Sequence, residues 1–129
     1  MADGELRKIF RANLKHFDWL AVETATDAGV PDANYCFNRH EGWIEMKRCR
    51  GLKVDVRSAQ VGWAERRLRH GGKVFCAVRK EKAMWLFSGW DLRTLTTRRV
   101  DQVPPLGHWD GGQSAWGWGE IARILTGGS

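Results

Sequence analysis

The chain has 129 residues, 28% of them charged and 43% hydrophobic, which suits one folded domain and excludes a collagen-like or disordered segment. It carries 21 Lys or Arg against 15 Asp or Glu, a formal net charge of +6, and 8 tryptophans. No run of 18 apolar residues is present, which excludes a hydrophobic membrane-spanning helix.

The opening MADGELRKIF lacks the apolar stretch of a signal peptide, so a cytoplasmic protein with no membrane partner is expected. Cys36, Cys49 and Cys76 form no CxxC pair and are expected to be reduced thiols. The four histidines (His16, His40, His70, His108) show no metal-ligand spacing.

Residues 3–17 are expected to form a helix, capped by Asp3, with Leu6, Ile9, Phe10, Leu14 and Phe17 as its apolar stripe. A short strand is expected over 19–23, then a loop over 24–31 broken by Gly29 and Pro31. Residues 33–37 and 43–47 suit two strands of a hairpin, joined by a polar turn over 38–42. A second helix over 58–70 takes Ser58 as its cap and Val61, Ala64 and Leu68 as its apolar face. Gly71 and Gly72 end it, and Gly62 inside it costs about 1 kcal/mol against Ala.

Two more strands follow, over 74–78 and 83–87, around a charged turn at 79–82. Cys36 and Cys76 fall in strands and are expected to be small core residues. Beyond Gly89 the pattern weakens. Pro104 and Pro105 break any regular element, Trp109, Trp116 and Trp118 lie among glycines, and 120–125 suits a last short helix. These tryptophans are expected to pack on the sheet or on a second subunit rather than to stack on bases. The element order predicts an α/β fold, a mixed sheet flanked by helices in a single domain. A core over 1–88 would carry a Gly/Trp-rich extension, 89–129, packed on it or on a dimer partner.

Charge is concentrated. Residues 47–80 hold eleven Lys or Arg and two acids, Asp55 and Glu65, a local surplus larger than that of the whole chain. Lys53, Arg57, Arg66, Arg69 and Lys73 are the candidate contacts to a nucleic-acid backbone. A helix cannot aim Arg66, Arg67 and Arg69 in one direction, and the plain alternative for the run is a solvated surface.

Strand alternation puts Trp43, Glu45 and Lys47 on one face and turns Ile44 and Met46 to the core. Asp32 stands where the neighbouring strand begins, so a hairpin brings its carboxylate beside Glu45. Two converging carboxylates, with the Met46 carbonyl, suit Mg²⁺, with Mn²⁺ as a substitute. Lys47 beside them can steady or deprotonate an attacking water, or neutralise phosphate charge. Taken singly, Asp32 is a common turn residue, and Glu45 with Lys47 makes an ordinary cross-strand pair.

Pro31-Asp32, then twelve residues, then Glu45-Met46-Lys47, followed by Gln60 on the next helix, resembles the PD-(D/E)XK nuclease motif. The Gly29-Val30-Pro31-Asp32 wording is most similar to the VRR-NUC and archaeal Holliday-junction resolvase branches, over roughly residues 5–88. The resemblance implies a restriction-endonuclease-like core and a catalytic set of Asp32, Glu45, Lys47 and Gln60. It also implies a further acid, Glu5, with Glu23 as its rival, a symmetric homodimer, and branched or junction DNA as substrate, with no small-molecule cofactor. The alternatives are a VRR-NUC-type flap or single-strand nuclease, a degenerate nuclease subunit, and a non-catalytic protein that binds nucleic acid through residues 47–80.

Overall fold

The computed structural model describes residues 3–22 and 28–127. Its strands are β1 (Asp18–Ala21), β2 (Ala33–Phe37), β3 (His40–Arg48), β4 (Val74–Lys80), β5 (Ala83–Ser88) and β6 (Gly107–Trp109). Its helices are α1 (Gly4–Asn13), α2 (Ser58–Arg69), α3 (Leu92–Leu95) and α4 (Trp118–Leu125). The six strands form one sheet whose spatial order is the chain order. β3 and β4 are parallel, bridged by α2, and the other neighbours are antiparallel. This is the expected α/β architecture with a mixed sheet flanked by helices. Among the described residues no helix is long and apolar enough to cross a membrane.

The sheet separates two cores. On one face Ile44, Met46, Phe75, Ala77, Met84 and Leu86 pack with Leu6 and Phe10 of α1 and with Ile121 and Leu125 of α4. On the other, Cys76, Val78, Trp85 and Phe87 meet Val61 and Ala64 of α2 and Leu92 and Leu95 of α3. Burial of each large side chain contributes roughly 1.5–3 kcal/mol, so the two apolar faces hold the layers together.

Local chemistry explains where the elements start and stop. Asp3 caps α1 by accepting the Leu6 N–H at 3.1 Å. The helix ends at Asn13, short of the predicted 17, yet Leu14 and Phe17 stay buried in the same core. The hairpin is tighter than predicted. Its turn is Asn38 and Arg39 alone, both at positive φ (50° and 69°), the two-residue geometry that matches strand twist, so β3 begins at His40.

The cap of α2 also differs from expectation. It is Arg57, whose backbone N–H is taken by the Gln60 side chain at 3.0 Å, and not Ser58. The end of α2 is as predicted. Gly71 adopts φ 89°, and the N–H groups of Gly71 and Gly72 return to the carbonyls of Leu68 and Arg67.

Beyond residue 89, α3 and β6 are too short to leave a periodic signal, and β6 adds a sixth strand beside β5. α4 begins at Trp118, two residues before the predicted start. Trp116 is buried and donates its indole N–H to the Lys82 carbonyl, while Trp109 and Trp118 pack against the α1 core. Cys76 is buried as expected, but Cys36 is exposed, since its side chain leaves the outer face of the β2 end.

Candidate active site

β2 begins at Ala33, opposite Ile44, so β3 runs on past it and the backbone of Met46 is open to other partners. Asp32 fills part of that gap, and its Oδ2 accepts the Met46 N–H at 2.8 Å. The backbone N–H of Asp3 donates to the Met46 carbonyl at 3.1 Å. Met46 thus buries its side chain in the α1 core while its peptide joins Asp32 to the start of α1. The carbonyl keeps a second lone pair.

Glu45 and Lys47 leave the opposite face of β3. That face, expected to be polar, is closed by α2. Glu45 is 1% exposed, Lys47 3% and Gln60 5%. Buried charges of this kind need partners, and each has one. Lys47 Nζ lies 3.4 Å from Glu45 Oε2 and donates to Gln60 Oε1 at 3.1 Å. Gln60 Nε2 donates to Glu45 Oε2 at 2.9 Å. The carboxamide therefore clamps acid and base together, and its Oε1 also holds the Arg57 N–H at the helix start.

One atom is left over: Glu45 Oε1 is buried and has no hydrogen-bond partner among the described residues. Burial and then the neighbouring Asp32 carboxylate push Glu45 up from 4.5 to about 8, against the opposing pull of Lys47.

The loop before Asp32 is held by an absence. Gly29 has φ 79°, and a Cβ there would sit 2.1 Å from the Ala59 carbonyl oxygen. Only glycine lets this loop close on the first turn of α2, which puts Asp32 and Gln60 on two sides of Glu45.

Other expected site residues lie apart. Glu5 is exposed and pairs with Arg79 Nη1 at 3.2 Å. Among the described residues no third His, Cys, Asp or Glu joins Asp32 and Glu45 as a metal-binding group. Glu23, the rival acid, lies outside the described residues. Lys53, Arg57, Arg66 and Arg69 are exposed. Lys73, just before β4, is half-buried, with Nζ 2.8 Å from His40 Nδ1.

Sequence reasoning saw Asp3 as a helix cap and missed its second role. Its buried carboxylate also takes Arg79 Nε at 2.8 Å and lies 3.5 Å from Arg48 Nη2. Burial opposes its charge, but the Arg79 hydrogen bonds, the Leu6 N–H and both arginines outweigh that and hold the carboxyl below its usual range. Asp3 and Arg79 are 76 positions apart, so no local pattern could announce the pair.

The donor set fits a hard divalent cation. Two carboxylates converge closely enough that Asp32 disfavours the charge on Glu45, and a buried carboxylate oxygen stands unpartnered. The Lys47 ammonium relieves only part of that repulsion.

The six-stranded mixed sheet with helices on both faces is an α/β fold of the restriction-endonuclease-like kind. Among solved structures sharing it is the Archaeoglobus fulgidus Hjc, described as a Holliday junction resolvase from an archaeal hyperthermophile. The similarity covers 67% of this chain and 77% of that one, with a TM-score of 0.56 and 18% sequence identity. No family model matches the chain, and no curated protein matches it.

Proposed function

We propose that this chain is a divalent-metal-dependent endonuclease that hydrolyses phosphodiester bonds in branched DNA, of the Holliday-junction type. The observation that carries the reading is the buried cluster of Glu45, Lys47 and Gln60, with Asp32 alongside and Glu45 Oε1 without a partner. A purely structural ion pair would satisfy both carboxylate oxygens. The likeness in fold to a junction resolvase supports the choice of substrate.

Asp32 and Glu45 would hold Mg²⁺ or Mn²⁺, with the free lone pair of the Met46 carbonyl as a further oxygen donor. When bound, the cation supplies Lewis acidity to a phosphate oxygen. Lys47 places a fixed positive charge where the phosphorane charge develops, in a site closed to bulk water on the α2 side. Gln60 holds the Lys47 ammonium by its carbonyl oxygen and the Glu45 carboxylate by its amide. Neither charged group then has to reorganise as the reaction proceeds. Lys53, Arg57, Arg66 and Arg69 would meet backbone phosphates, and a homodimer would present two sites to two strands.

The test is incubation of purified protein with a synthetic four-way junction and a matched linear duplex, with Mg²⁺ or EDTA. Paired nicks confined to the junction and abolished by EDTA are expected. Asp32→Asn should lower the rate by about a hundredfold or more while junction binding persists. Cleavage of flaps instead would keep the chemistry and discard the junction. Binding without cleavage in Mg²⁺ or Mn²⁺ would overturn the reading in favour of a non-catalytic nucleic-acid-binding protein.

A further inference from the structure

We propose that the open cavity at the C-terminal end of α2 is a stacking site for an unpaired nucleotide, separate from the hydrolytic cluster. The cavity has a volume of about 590 Å³ and is lined by Trp63, Arg66, Arg67, His70, Gly71 and Gly72. That volume lies in the range of small-ligand sites.

Its centrepiece is Arg67. The guanidinium carbon sits 4.7 Å from the Trp63 ring and 5.4 Å from the Trp43 ring, which themselves meet edge to face at 5.2 Å. Both indoles are within cation–π range of the guanidinium. Arg67 is nevertheless exposed and lines the cavity, so the side chain is accessible to a ligand there. A planar cation on an aromatic base is a surface on which any nucleobase stacks, and its N–H edge meets phosphate.

The surroundings are built for this placement. A Cβ on Gly72 would lie 2.6 Å from Arg67 Cγ and 2.8 Å from Cδ, so the missing side chain makes room for the arginine stem. Among the described residues no carboxylate lines the cavity. Glu65, two residues back on α2, is occupied by Arg93 through two contacts of 2.8 Å. The charge left at the cavity is therefore basic, from Arg66 and Arg67. A nucleotide supplies both halves of the match, a π-face and an anion.

Position ties the cavity to the site described above, and here the inference rests on the nuclease reading. Arg67 lies seven residues along α2 from Gln60, about 10 Å at the helical rise. That is roughly three nucleotide steps of a stacked strand. A strand that leaves the cluster at Glu45 can follow α2 and place a base on Arg67. A continuous duplex keeps its bases inside and offers the cavity only phosphate. The site therefore selects DNA in which bases are unpaired close to the cut, as at a junction centre or a flap.

The test measures binding without metal, so it needs no cleavage. A fluorescent oligo-dT 8-mer and a blunt duplex are titrated against wild type, Arg67→Met, which keeps the stem, and Gly72→Ala, which keeps every charge. Arg67→Met and Gly72→Ala should each weaken oligo-dT binding by about tenfold and duplex binding by less than about threefold. Thermal melts confirm that the variants are folded, and Trp63→Phe, which keeps an aromatic face, should retain most of the affinity. Equal losses for oligo-dT and duplex would reduce the cavity to a phosphate contact and overturn the proposal, as would unchanged oligo-dT binding. Failure of the nuclease reading shows itself separately, as wild-type protein that never cleaves the junction whatever Arg67 does.

Discussion

Glu45 concentrates the chemistry of the site into one side chain. Its pKa is raised from 4.5 to about 8, by burial first and by the Asp32 charge second, so in the metal-free protein its protonated form is favoured well above the usual carboxylate range. A cation must displace that proton. Affinity for Mn²⁺, measured by calorimetry, should therefore rise by about tenfold per pH unit between roughly pH 6 and 8, then level off. Affinity that is flat over that interval would contradict the assignment. The sign for stability runs the opposite way. A carboxyl whose folded pKa exceeds its unfolded one contributes fully below about 4.5, and the contribution is lost as pH rises through about 8. Bound cation should therefore raise the melting temperature more at pH 8.5 than at pH 6. Asp32, Glu45, Lys47 and Gln60 were legible in sequence because a strand alternates and a helix follows with a polar residue in its first turn. The depth of the cluster was not. Alternation says that Glu45 and Lys47 share a face, but only the position of α2 says that the face is closed.

At the scale of elements, the site is the contact between a loop and the first turn of a helix. Gly29 is the residue on which this depends, through its φ of 79° and the 2.1 Å approach of a notional Cβ to Ala59. Gly29→Ala should destabilise the protein by about 2–4 kcal/mol in urea unfolding. It should also cost more in junction cleavage than in junction binding, because Asp32 moves away from Glu45. A variant as stable and as active as wild type would show that the loop does not set the site. The glycine was visible in the sequence, but only as the opening of a motif. Its packing partner lies 30 positions later. Capping was legible in part. Asp3 does cap α1, while Ser58 loses its expected role because Gln60 reaches back to the Arg57 N–H. A side chain that serves both the helix start and the active cluster gives no separate sign of the second duty. The short β6 and α3 left no periodic trace, so the sheet was expected to end one strand early.

For the whole molecule, the proposed function makes charge distribution the term that governs association. Exposed Lys53, Arg66 and Arg69 belong to the segment that carries most of the positive charge. Lys53→Ala should weaken DNA binding alike for all sequences and reduce the slope of log affinity against log salt by about 1. A change in sequence preference at constant slope would place Lys53 against a base edge. Lys73, expected in the same set, is half-buried with Nζ 2.8 Å from His40 Nδ1, so its replacement should change the salt slope less than that of Lys53. The sheet order repeats the chain order, and its one crossover is the β3–α2–β4 passage that carries Glu45, Lys47, Gln60 and Arg67. The β2–β3 and β4–β5 connections are two-residue turns at the rim. New sequence inserted at the Asn38–Arg39 or Glu81–Lys82 bends would therefore lengthen the periphery without altering a distance in the cluster. The scaffold can thus vary its outline while the cluster stays fixed, and under the proposed function that would vary the shapes of DNA it accepts.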